Sequence, residues 1–324
     1  MKSKLLFIST AFAICGTMNI SAQSTNAQII LHADKAEKNV SPTLYGLMTE
    51  EIIYSYEGGL YAQLLRNPSF EETTVMAKPF HARPNQPKYW LLTDTISEKM
   101  CIENTDGINS NVRTYLRLVT TKSDGGIENN GFWGFPIKSD AVFNGSFYAS
   151  ALKGGNSVKV TLESADGKTI YAQTLVSGIS NVWQKFDYKL NIPSKVQETS
   201  NVKIRFSFPL PGDYRITRAI LFPSTYKNRK NGLRVDLMTM MKSMSPKFLR
   251  FPGGNYVEGN RFADRFDWKK TIGDVDSRPG HNSPWGYRST DGMGLLEFLE
   301  WAEDVGAEPI LAVFAGYTLN GDHV

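Results

Sequence analysis

The chain has 324 residues, 41% of them hydrophobic and 21% charged, with a formal net charge of +4. This is an ordinary globular mixture, large enough for one big domain or two smaller ones. The small charge is spread along the chain without a dense Lys/Arg run interleaved with aromatics, which argues against nucleic acid as a partner.

The first residues, MKSKLLFISTAFAICGTMNISAQS, carry Lys2 and Lys4, an apolar run from Leu5 to about Met18, and small residues at Ser21 and Ala22. That order predicts an export signal over 1–22, cleaved after Ala22, and a periplasmic or extracellular protein. The run is too short and interrupted to span about 30 Å of hydrocarbon, so no membrane span is expected. Cys15 follows Phe-Ala-Ile, a poor lipidation context, and once the signal is gone Cys101 is the remaining thiol, leaving stability to core burial rather than to a disulfide.

A short apolar strand is predicted at Gln28–Ala33, within a segment 23–39. Next comes a first β/α unit over 40–84. Its strand lies near Thr43–Met48 and ends at the acids Glu50 and Glu51, and a helix with Leu60, Leu64 and Leu65 on one face stops at Asn67-Pro68. Pro79, Pro84 and Pro87 mark the crossing into a new unit. Beyond them the period is two: Val158, Val160 and Leu162; then Phe186, Tyr188, Leu190 and Ile192; then Val202, Ile204, Phe206 and Phe208. Turn signals such as Asp166-Gly167 separate these runs, predicting an antiparallel β-sandwich of jelly-roll, galactose-binding-like type over 85–225.

From 226 onward the period changes again. A helix is expected over LRVDLMTMMKSMSP, with Leu233, Leu237, Met241 and Met244 aligned and Pro246 as its stop. A strand KFLRF follows, then a helix capped by Thr290 or Asp291 and closed by Gly306, then an apolar strand PILAVFAG whose lack of alternation suits a parallel strand covered on both faces. The predicted class is thus α/β plus all-β: a partial (β/α)8 barrel interrupted by the sandwich, with strands near 43–48, 248–252 and 309–315 standing for about three of eight.

In such barrels chemistry sits beyond the C-terminal ends of the strands. Glu50 and Glu51 are adjacent, so they point apart and one is expected to face the mouth. The loop from Pro252 to about Thr290 is long and holds Trp268, Trp285 and Tyr287, which suits a binding wall. His32, His81, His281 and His323 show no metal-ligand spacing, and His281 reads as a hydrogen-bonding surface residue; no metal and no cofactor is implied. A nucleophile elbow and a phosphate loop are both absent from the sequence.

Three stretches in order, LYGLMTEEIIYSYEGGLYAQLLRNPSFE, PKFLRFPGGNYVEGN and GLLEFLEWAEDVGAEPILAVFAG, resemble the opening of the α-L-arabinofuranosidases of glycoside hydrolase family 51. The sandwich looks like the carbohydrate-binding-module-like insertion of some members. The resemblance implies a retaining hydrolase that removes terminal arabinofuranosyl groups from arabinan, arabinoxylan or their oligosaccharides. It makes Glu50, Asn255 and Trp285 substrate ligands and Arg250 a support from the strand, while Gly253 and Gly254, lacking a Cβ, support the site by allowing a tight exit from that strand. It also implies that the strand at Gln28–Ala33 belongs to a C-terminal β-sandwich, and that the acid/base and nucleophilic glutamates follow later barrel strands, beyond Val324. Two other readings are a non-catalytic carbohydrate binder, with Trp133, Trp183 and Tyr148 as a stacking platform, and another glycosidase of the same barrel clan.

Overall fold

A computed structural model describes residues 28–35, 38–73 and 86–322. The expected signal at 1–22, Cys15, His81 and His323 lie outside these. The chain divides into Met1–Ser41 and Pro42–Val324.

In the first unit the expected strand at Gln28–Ala33 does not form. Ile29, Ile30 and Leu31 are exposed in irregular backbone. Apolar character alone makes no strand, because a strand's amides and carbonyls need a neighbouring strand, and none stands beside them among the described residues of this unit.

In the second unit, ten strands build two antiparallel five-stranded sheets. They are β2 (Trp90–Leu92), β3 (Glu98–Glu103), β4 (Tyr115–Thr120), β5 (Gly125–Asn129), β6 (Val142–Lys153), β7 (Ser157–Ser164), β8 (Ile170–Ser177), β9 (Gln184–Asn191), β10 (Val202–Phe208) and β11 (Gly212–Phe222), with β1 at Leu47–Met48 preceding them. One sheet has the order β2-β5-β10-β7-β8 and the other β3-β4-β11-β6-β9. Their alternating apolar residues meet in one core: Val160, Ile204 and Phe206 come from the first sheet, and Leu116, Phe147 and Ile216 from the second. Each such side chain removed from water contributes about 1.5–3 kcal/mol.

A three-stranded parallel sheet, β1-β12-β15, is formed by β1, β12 (Phe248–Phe251) and β15 (Glu308–Leu311). Helices α1 (Val235–Ser243) and α3 (Leu295–Val305) accompany it, and α2 (Asn255–Glu258) follows β12. Leu249 and Phe251 pack with Met238, Phe298 and Trp301 in a second core. Met48, Arg250 and Ile310 share one row across the sheet, and Met48 and Ile310 are exposed. The apolar run of β15 is therefore not covered on both faces among the described residues: Glu308, Pro309 and Ile310 are exposed and Leu311 is partly buried against the second core. Met244 is likewise exposed rather than part of the aligned helix face.

Two further expectations are corrected. The helix over 60–65 is absent. That segment runs extended, with Ala62 N–H donating to Gly232 O, Leu64 N–H to Leu221 O and Leu60 O accepting from Arg234 N–H. Leu60 thereby enters the second core and Leu65 the sandwich core, so one segment ties the two together. Long-range partners for the backbone overrode a helical spacing. Helix α3 is capped at Gly294, not at Thr290 or Asp291. Glu297 reaches back to the Gly294 N–H (2.9 Å), and Gly306 ends the helix in the left-handed region.

Candidate active site

Strands β1 and β12 are parallel neighbours, so the residues that leave their C-terminal ends, Glu50 and the Gly253-Gly254-Asn255 turn, emerge side by side. Glu50 Oε1 accepts from the Tyr256 N–H at 2.8 Å. This approach depends on Gly253. Its φ is +126°, and a Cβ there would collide with Glu50 Cβ and Cγ. Gly254 differs, with φ −109° and no neighbouring atom within 4 Å of the place a Cβ would take. Replacing Gly253 by alanine is expected to destabilise the protein by about 1–3 kcal/mol through backbone strain and displacement of Glu50. Gly254→Ala should stay within about 0.5 kcal/mol, and urea midpoints of the pair check the contrast.

Asn255 opens α2 with its side chain exposed. Arg250 lies one strand residue before Phe251, on the uncovered row of the sheet. Glu50 is partly exposed, and Glu51 is buried at 1% exposure. Glu51 accepts from Tyr56 N–H (2.6 Å) and from Tyr287 Oη (2.7 Å), while Tyr287 Oη also accepts from Tyr54 N–H (3.0 Å). Tyr54 and Tyr287 stack with ring centroids 4.2 Å apart. Burial, then the charge of Glu57, pushes the Glu51 carboxyl up to about 8.

Glu57 is buried too, and its Oε1 accepts from Thr290 N–H (2.5 Å), Thr290 Oγ1 (2.7 Å) and Ser289 Oγ (3.3 Å). Burial pushes it up to about 7, against the hydrogen bonds from Thr290. Spacing arguments missed Glu57 and the Tyr54–Tyr287 stack. The available signal was the density of aromatics in EEIIYSYEGGLY, which supplies the setting that buries Glu51 and Glu57 while leaving Glu50 partly exposed.

The long loop is built rather than loose. It contains a small hairpin, β13 (His281–Asn282) paired with β14 (Arg288–Ser289). Tyr287 precedes β14 and carries the hairpin onto Glu51. Trp285 sits on the hairpin's tip, partly buried, with a buried indole N–H that has no partner among the described residues. No hydrogen bond joins the side chains of Asn255 or Trp285 to Glu50 among the described residues. His281 is not at the surface: it is buried, 4.9 Å from the Tyr256 ring, with Nδ1 2.8 Å from Asp291 Oδ1 in a geometry that aligns no hydrogen bond. Aromatic packing on both of its flanks, from Tyr256 and Phe266, explains the burial. Among the described residues no cluster of His, Cys, Asp and Glu could hold a metal ion, and no helix is long and apolar enough to cross a membrane.

Chemically, the arrangement offers a half-exposed carboxylate and an exposed amide on adjacent loops. Together they can accept from and donate to hydroxyl groups. The two buried acids behind them are committed to holding the loops.

A family model described as alpha-L-arabinofuranosidase 1 domain matches residues 240–324. Alpha-L-arabinofuranosidase A of Aspergillus kawachii is 32% identical over 95% of this chain and 49% of its own length. Alpha-L-arabinofuranosidase 1 of Arabidopsis thaliana is 30% identical over 87% of this chain and 42% of its own length. The solved structure of an arabinose-bound MgGH51 α-L-arabinofuranosidase superposes with a TM-score of 0.77 at 34% identity, covering 87% of this chain and 46% of that one. The chain spans about half the length of the curated relatives it matches.

Proposed function

Because the chain is homologous to the α-L-arabinofuranosidases of glycoside hydrolase family 51, we propose that it supplies the sugar-orienting part of a retaining α-L-arabinofuranosidase acting on arabinan, arabinoxylan or their oligosaccharides. The observation that carries this reading is the meeting of Glu50 and the Asn255 loop beyond adjacent parallel strands. On this reading the parallel sheet belongs to a (β/α)8 barrel, the ten-stranded part is its jelly-roll, carbohydrate-binding-module-like insertion, and the protein is exported.

Glu50 accepts from sugar hydroxyls and is aimed by the Tyr256 N–H. Asn255 donates and accepts beside it, and Trp285 contributes an indole wall. Gly253 permits the close approach, and Arg250 supports the strand below.

Retaining hydrolysis needs two carboxyl groups about 5–5.5 Å apart across the scissile bond. Glu51 and Glu57 are buried and bound to protein donors, which suits them to scaffolding. The acid/base and nucleophile are accordingly assigned to the part of the relatives' length that this chain does not span.

In the protein extended to its relatives' length, Glu50→Ala should lower kcat/KM for an aryl α-L-arabinofuranoside by about 2 kcal/mol, roughly 30-fold, as expected for a charge-assisted hydrogen bond. Wild-type kinetics in that variant would remove Glu50 from the site. The 324-residue chain alone should show no turnover above an empty-vector control.

A further inference from the structure

We propose that the grooves flanking Trp133 form an accessory site for a neutral glycan with a pyranose backbone. Trp133 is 65% exposed, whereas Trp90 and Trp301 are almost fully buried. It is nevertheless held in place. Its Nε1–H donates to Gly58 O at 2.7 Å, and its ring stands perpendicular to that of Tyr54, with centroids 6.1 Å apart. An exposed indole with a fixed plane is a platform rather than a mobile surface side chain.

Two clefts adjoin this platform. One, of about 700 Å³, runs toward Gln63, Arg234 and Asp236; the other, of about 430 Å³, runs toward Asn130 and Asn201. They share Trp133, Gly134 and Ser200, so the surface is continuous past the indole. Gly134 keeps that saddle low: its φ is +78°, and a Cβ there would collide with Ser200 O.

The wall chemistry selects the ligand. Arg234 pairs with Asp236 at 2.5 Å, and Lys203 with Glu128 at 2.7 Å and Glu163 at 3.6 Å, while Lys138 stands exposed at the rim. Charges that cancel within the walls favour a neutral ligand over an acidic or phosphorylated one. Exposed amides at Asn130 and Asn201 can both donate to and accept from hydroxyls. The electron-rich face of an indole attracts the weakly positive C–H bonds of an apolar surface. A pyranose presents such C–H bonds as a flat face, whereas a puckered furanose does not. The occupant is therefore a pentopyranose backbone such as that of arabinoxylan rather than the all-furanose chain of arabinan. The inference rests on the arabinofuranosidase reading only for the class of polymer offered to the site.

The 324-residue chain should be retarded in native gels containing soluble arabinoxylan and not in gels containing debranched arabinan. Trp133→Ala should weaken that retardation by about tenfold, and Trp133→Phe, which keeps a ring, should retain most of it. Asn201→Ala, at an exposed position, should lose part of it with an unchanged melting midpoint. If Trp133→Ala melts early, the Phe and Asn201 variants decide the matter.

Absence of retardation by arabinoxylan, equal retardation by arabinan, or no effect of Trp133→Ala and Asn201→Ala would each overturn the proposal. So would loss of concentration-dependent self-association in Trp133→Ala with glycan retardation unchanged, which would make the groove a contact between copies. Hydrolysis is read separately, so retardation without arabinofuranosidase activity in the extended protein defeats the catalytic reading and leaves this site standing.

Discussion

Replacing Arg278 by methionine is expected to destabilise the protein by about 3–5 kcal/mol, because it strands a buried carboxylate. The Arg278 guanidinium meets both oxygens of Glu297, Nη1 to Oε2 at 2.9 Å and Nη2 to Oε1 at 3.0 Å. It also donates to the carbonyls of Asp291 (2.9 Å), Gly292 (3.1 Å) and Gly273 (3.2 Å). Both side chains are nearly sealed from water, at 2% and 7% exposure.

Glu297 additionally caps α3 and accepts from Asn231 Nδ2 at 2.8 Å, so one fork fixes the long loop, the helix start and the connector from the sandwich. Arg278→Lys keeps the charge but not the planar fork and should recover only part of the loss. The double variant Arg278→Met/Glu297→Gln removes the stranded charge while leaving oxygen to cap Gly294, and should be more stable than Arg278→Met alone. Urea midpoints of the wild type, the singles and the double give the coupling energy. A loss below about 1 kcal/mol in Arg278→Met would show that the fork does not organise the loop.

Stability should fall as pH rises from about 5 to about 8, by several kcal/mol, through Glu51 and Glu57. Both carboxyls have an ordinary value of 4.5, and burial raises them to about 8 and about 7. The unfolded chain thus releases these protons near pH 4.5 while the folded protein still holds them. Over that window the native state binds more protons, and stability drops with pH by up to about 1.4 kcal/mol per unit for each group. The contribution is fully present below pH 4.5 and is lost as pH passes through the folded values.

Neighbouring charges reinforce this sign, since Glu57 faces Asp291 and Glu72 and Glu51 faces Glu57, while the hydrogen bond that Tyr287 donates to Glu51 opposes it without reversing it. Asp264 acts in the other direction. Arg261 and Asn282 hold it below its ordinary value, so its contribution disappears in acid, and the stability maximum should lie near pH 5. Glu57→Gln retains the oxygen that accepts from Thr290 and should leave stability at pH 5.5 nearly unchanged while flattening the fall toward pH 8. Urea midpoints at the two pH values for the wild type, Glu51→Gln and Glu57→Gln test this, and a wild-type midpoint that does not change with pH would rule it out.

These two groups of residues also mark where sequence reading stops. By itself the sequence determined the period-two strands that fill the sandwich core, because alternation such as Val202, Ile204, Phe206 and Phe208 is a local signal that survives packing. It also determined β12, α1, α3 and the Gly306 stop, where apolar period and chain stop agree, and it singled out Glu50 and the Gly-Gly-Asn turn beyond a buried strand.

Tertiary structure alone decided the rest. Leu60, Leu64 and Leu65 have helical spacing, but their backbone found partners near 221–234 and their side chains found two different cores. Gln28–Ala33 has strand composition but no neighbouring strand among the described residues of its unit. Gly253 and Gly254 look alike in sequence, and only the fold sets them apart, by giving Gly253 a positive φ and placing Glu50 against it. Arg278 meets Glu297, Tyr287 meets Glu51 and Thr290 meets Glu57 across 19, 236 and 233 residues of chain. A buried polar group's partner is fixed by chain closure and not by local propensity. Such pairs leave almost no trace in the neighbouring residues beyond an apolar and aromatic setting around a charge.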